Sequence, residues 1–148
     1  MLALLVLISI AGSGPSLRVA DFHGSGGDTC SARVREIFAG FVPAVSPDPG
    51  LRLPTSGRFE RLRRAVEREK VDVVVHGFVR PHKLVVEAYA AQGARLLGVN
   101  EVRTAGRCGL TPRGRRALER WWRLLAQRFQ GWEPFTSGAS PSTHGSGP

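Results

Sequence analysis

Asp21, His23, His76, Arg80 and His82 are residues whose types can do chemistry and whose positions can bring them together. Each closes or follows a run that reads as a β-strand, and in open parallel sheets ligands bind at the carboxyl ends of strands. Asp and His serve as general acids and bases and as ligands for zinc or manganese. Two His six residues apart across a turn are not at a trusted metal spacing, so no metal is expected. A second group is rich in glycine. Gly24, Gly26, Gly27, Asp28 and Thr29 lie between a strand and a helix, where backbone N–H groups and a helix amino terminus can hold phosphate. With Asp21 and His23 they form a candidate ligand-binding loop, and a nucleotide is one ligand it can take. Cys30 at the start of the same helix gives weak grounds for a nucleophile, because no orienting third group is evident.

The third group lies near the carboxyl end. Thr111 and Pro112 open a helix well, Thr as cap and Pro in the first turn. At ~100° per residue, Leu118, Trp121, Trp122, Leu125 and Phe129 share one arc of about 100°. Arg113, Arg116, Arg120 and Arg123 fall within about 80° on the opposite side. An Arg row of this kind can contact the phosphates of a nucleic acid, giving affinity without sequence readout. The Trp pair opposite it is a candidate contact for a homodimer.

Three resemblances attach to these words. Residues 19–29 resemble the first motif of class I S-adenosylmethionine-dependent methyltransferases, in which an acidic strand end precedes a Gly-rich loop. That resemblance implies S-adenosylmethionine over residues 21–29 and a reduced enzyme of that class; His23 and Ser25 stand where the family has glycine. Asp21 and His23 resemble the opening pair of the metallophosphoesterases, whose later Asp, Asn-His and Gly-His-x-His motifs are missing. Residues 109–118 resemble the end of a winged-helix wing, without the three-helix core that such a domain needs.

These residues need a framework. A short strand is expected over 17–22, a helix over 31–41, a helix over 57–70 and a strand over 71–76. Pro81 suits a helix start, so a helix is expected over 81–92, with Leu84, Val85, Ala88 and Ala91 inward. Gly93 would end it, and a strand follows over 94–99. Helix and strand alternating at this rhythm imply parallel strands joined by crossover helices. The expected fold is a small three-layer Rossmann-like α/β domain over residues 1–110. An amphipathic Arg-rich helix over 111–130 packs on it, and a flexible Ser/Gly/Pro tail fills 131–148.

Composition bounds the function. The chain has 148 residues, 42% of them hydrophobic, which excludes wholesale disorder and fits one domain. Its formal net charge is +9, carried by the last hundred residues and almost entirely by Arg. Such a surface favours nucleic acid or another polyanion as partner. No apolar run reaches the length of a membrane span. The apolar run at 2–10 reads either as a buried strand or as a cleaved export signal. It lacks a basic start, which favours the strand and a cytoplasmic protein. On that reading Cys30 and Cys108 are free; on the secreted reading they can pair. The function expected is a basic domain that binds a phosphate-bearing ligand, nucleic acid first, through the Arg helix.

Overall fold

A computed structural model describes residues 14–55, 59–106 and 108–131. The strand or signal expected at 2–10, the Gly12 turn and the tail beyond 131 lie outside the described residues. The elements run β1 (Leu17–Val19), α1 (Gly27–Ala39), α2 (Phe59–Glu67), β2 (Val73–Arg80), β3 (Lys83–Ala90), a 3₁₀ turn (Gln92–Ala94), β4 (Arg95–Ala105), β5 (Gly109–Leu110) and α3 (Pro112–Gly131).

The sheet is not the parallel one expected. Its five strands lie in chain order, β1-β2-β3-β4-β5. Only β1 and β2 are parallel, with Leu17 opposite Val73; β2–β3, β3–β4 and β4–β5 are antiparallel. The Rossmann-like reading and the methyltransferase-like one that depends on it both fall with this topology, because both need a run of parallel strands.

The error has one source. Residues 83–90 form a strand, not a crossover helix. Leu84, Val86, Ala88 and Ala90 are buried at period two, while Lys83, Val85 and Glu87 between them are partly exposed. Pro81 is the first residue of a two-residue turn rather than of a helix. Arg80 pairs with Lys83 across it, and His82 takes a positive φ of 63°. A Pro followed by a left-handed residue is the pattern of a type II turn. The turn reverses the chain, so β3 must run back along β2.

Helices cover both faces of the sheet. On one face α1 and α3 bury Val34, Phe38, Leu118, Trp122 and Leu125 against Leu17, Val19, Val73, Val75, Leu84, Val86 and Val102. On the other, α2 brings Val66 onto Ala20, Leu53, Val74, Tyr89, Ala91 and Ala94. A bulge between Ala88 and Tyr89 leaves Leu97 as an extra residue in β4. The outer edge of β1 is taken by the stretch around Val45: Leu17 N–H donates to Ala44 C=O and Ser46 N–H to Leu17 C=O, both at 2.8 Å.

The cysteines are not free. Cys30 of α1 and Cys108, just before β5, form a disulfide, with Cα atoms 5.3 Å apart. It ties the helix over the parallel end of the sheet to its far, antiparallel end.

Candidate functional site

Two of the strand-end residues do meet. Asp21 N–H donates to Leu51 C=O, and His23 pairs its backbone with β2: its N–H donates to Gly77 C=O at 2.8 Å, and Val79 N–H donates to His23 C=O at 2.7 Å. This places the His23 ring 5.6 Å from the His76 ring, edge to face, with Phe78 5.4 Å from His23 and 5.5 Å from His76. Asp21 is 3.7 Å from the Arg52 guanidinium.

The sequence reading missed the other half of this group. Glu87 stands opposite His76 on β3, and Tyr89 stands opposite Val74. His76 Nε2 lies 2.9 Å from Glu87 Oε1, and the Tyr89 hydroxyl donates to the same oxygen at 3.0 Å. An ionised Glu87 can only accept, so His76 Nε2 carries the hydrogen and Nδ1 is left as an acceptor. That Nδ1 is buried and has no hydrogen-bond partner among the described residues, and the same holds for His23 Nε2. Residues equidistant from a two-residue turn face one another, so a hairpin centred on 81 and 82 would have paired 76 with 87.

Burial sets the electrostatics. It pushes the His76 imidazole below its ordinary value, against the upward pull of Glu87, and His23 adds a further downward push. His23 is also lowered, first by burial and then by Arg52, with Asp21 and Glu87 opposing. Burial and the hydrogen bond to Glu87 push the Tyr89 phenol up to about 12. The group is therefore two neutral imidazoles and a neutral phenol around one carboxylate. It can accept a hydrogen bond at His76 Nδ1, and His23 Nε2 is a second buried ring nitrogen with no partner among the described residues. Among the described residues no set of three His, Cys, Asp or Glu side chains converges as a metal site.

Arg80 and His82 do not join it. They lie at the hairpin tip, where Arg80 stacks its guanidinium 5.5 Å from the Phe78 ring and His82 C=O accepts from Thr104 N–H.

The Gly-rich loop has local reasons for its glycines. Helix α1 starts at Gly27, earlier than expected, and neither Asp28 nor Thr29 caps it; the cap position is Gly26, in the left-handed region at φ 76°. A Cβ on Gly27 would stand 1.8 Å from Phe22 C=O. Thr29 N–H donates to the Asp28 carboxylate at 2.9 Å, and Cys30 N–H to Gly26 C=O at 3.0 Å. These contacts are local to the loop and the helix start; it is Gly24 that lies against β2, where a Cβ would stand 3.0 Å from Val79 C=O.

The Arg row lies on α3. Thr111 Oγ1 accepts from Gly114 N–H at 3.1 Å, capping the helix as its sequence suggests. Leu118, Trp122 and Leu125 are buried, and Trp122 meets Phe38 of α1 edge to face at 5.7 Å. Trp121 packs against the position of Gly98. The Trp pair is thus used within this chain's own core. Arg113, Arg116, Arg120 and Arg123 are all exposed. Arg123 pairs with Glu119 one turn earlier; the other three make no ion pair among the described residues. No described helix is long and apolar enough to cross a membrane.

No known family model and no curated protein matches this chain. The crystal structure of TolB from Acinetobacter baumannii is similar over 71% of this chain, at 15% identity and a TM-score of 0.40. The match spans 25% of that longer chain. A likeness this slight transfers neither fold nor activity.

Proposed function

We propose that this protein is a binding module that holds a polyanion, nucleic acid first, along the Arg row of α3. One observation carries the reading: Arg113, Arg116 and Arg120 are exposed on one side of a helix whose opposite side is locked into the core, and no described carboxylate neutralises them. The guanidinium fork fits phosphate bidentately, and a rigid helix holds the forks at fixed spacing. Contacts to phosphates carry no sequence information, so binding through them is independent of sequence.

The test is fluorescence anisotropy with random-sequence duplex DNA across a salt series. Four phosphate contacts give a log–log slope of about −3.6. Changing Arg113, Arg116, Arg120 and Arg123 together to Ala brings the slope close to zero. Binding that ignores salt, or that survives this variant, overturns the reading.

The Cys30–Cys108 disulfide favours a second reading, of the compartment. Such bonds persist where the environment is oxidising. On that reading residues 2–10 act as an export signal, and the mature protein begins near Gly12. Mass measurement of protein from its natural host tests it; an intact Met1 overturns it.

A further inference from the structure

Two buried ring nitrogens, His76 Nδ1 and His23 Nε2, have no hydrogen-bond partner among the described residues. The aim of the first is set by the other nitrogen of its ring. His76 Nε2 is committed to Glu87 on β3. The two nitrogens of an imidazole point to opposite sides of the ring. Nδ1 is therefore turned away from β3, toward the other flank of β2. β1 lies on that flank, and just past its end His23 pairs its backbone with Phe78. The His23 ring stands there, 5.6 Å from the His76 ring, and Phe78 packs against both. His76 is buried and His23 is partly exposed, so the pair is reached from the His23 side.

A buried acceptor nitrogen is satisfied by a donor or by a cation. A water between these rings would gain two bonds, fewer than the three or so that buried waters make, and the Phe78 and Tyr89 rings beside it offer no more. Zinc takes at least three protein ligands, and no set of three converges among the described residues. A monovalent d10 ion binds two imidazoles in line and needs no other ligand. At about 2 Å per bond, such an ion sets its two nitrogens about 4 Å apart. These two nitrogens are not bonded to each other, and their ring centres, 5.6 Å apart, admit that span. A ligating His donates its other N–H to a carboxylate as a rule, and His76 does so to Glu87. That carboxylate offsets the single charge of the ion, and Tyr89 holds the carboxylate in place.

We propose that His76 Nδ1 and His23 Nε2 form a two-coordinate site for a soft monovalent cation, copper(I) or silver(I), with Glu87 as a positioning residue. The site uses no residue of the Arg row and stands or falls apart from it.

The test uses silver nitrate in chloride-free buffer with the full-length protein. Silver(I) needs no reductant, so the Cys30–Cys108 bridge stays closed. At one equivalent, native mass spectrometry finds one silver per chain. The NMR signals of His76 Nδ1 and His23 Nε2 shift, while those of the His82 ring stay where they are. Glu87→Gln weakens binding about 10–100-fold, and His23→Gln or His76→Gln weakens it by more. Glu87→Gln also frees the His76 tautomer, which the same spectra read. If His76→Gln does not fold, the ring signals of the unaltered protein decide. No saturable silver binding overturns the proposal, and so do ring signals that do not move. Binding that survives both His variants places the ion elsewhere and overturns it. Zinc(II) bound as tightly as silver would mean further ligands and overturn it, as would a crystal grown with silver in which water bridges the two rings.

Discussion

His76 of β2 and Glu87 of β3 face each other across the hairpin, with Nε2 of one 2.9 Å from Oε1 of the other, and Tyr89 holds the same carboxylate oxygen. The contact fixes the imidazole tautomer and leaves its other nitrogen buried.

Acid destabilises the protein through this group. His76 and His23 both have pKa values lowered by burial. The unfolded chain therefore takes up these protons first, near the ordinary His value of about 6.5. Stability is full above that pH and falls as pH drops from about 6.5 towards the lower folded values. Thermal midpoints measured between about pH 7.5 and 5 reveal the slope, below which carboxylates begin to contribute. His76→Gln with His23→Gln flattens it, whereas Asp48→Asn, an exposed change, does not.

Reduction loosens the fold. The disulfide closes a loop between residues 78 apart. In the chain-entropy account, cutting such a link costs about 4 kcal/mol. Urea melts with and without reductant, and of Cys30→Ser with Cys108→Ser, should agree with one another and fall below the oxidised protein.

Two glycines separate steric need from backbone freedom. Gly27→Ala drives a methyl into the Phe22 carbonyl and costs about 3 kcal/mol or more. Gly93, at φ 80°, has no atom near its missing Cβ, so Gly93→Ala costs only about 1–2 kcal/mol for the left-handed backbone. Chemical denaturation of the two variants orders them.

Helix α3 is held by one side. Trp122→Ala removes a buried ring from Phe38 and costs about 3–5 kcal/mol. Leu124→Ala, on the exposed flank, changes stability by less than about 0.5 kcal/mol. Equal losses would mean that the Arg row is not carried on a helix docked this way.

The sequence made α3 plain because its apolar and basic arcs are long and opposed, and a helical period over twenty residues has no competing reading. It misled over residues 83–90 because Leu84, Val85, Ala88 and Ala91 fit a helix while Leu84, Val86, Ala88 and Ala90 fit a strand. Pro81 serves either element at its start. Only the neighbours on both sides of β3 decide, and local propensity does not see them. Every strand direction after β2 depended on that one choice. The same choice hid the site: His23 and His76 were legible as polar strand ends, but Glu87 and Tyr89 become their neighbours only once the chain turns back at His82.

The bridge from Cys30 to Cys108 encloses α2 and the whole β2–β4 meander, including the turn at Pro81 and His82. A protease that cuts once inside that ring produces two ends but not two pieces. Nicked and intact molecules then travel together on a gel until a reductant is added. A single cut anywhere between Cys30 and Cys108 thus sheds neither half while the bridge is intact.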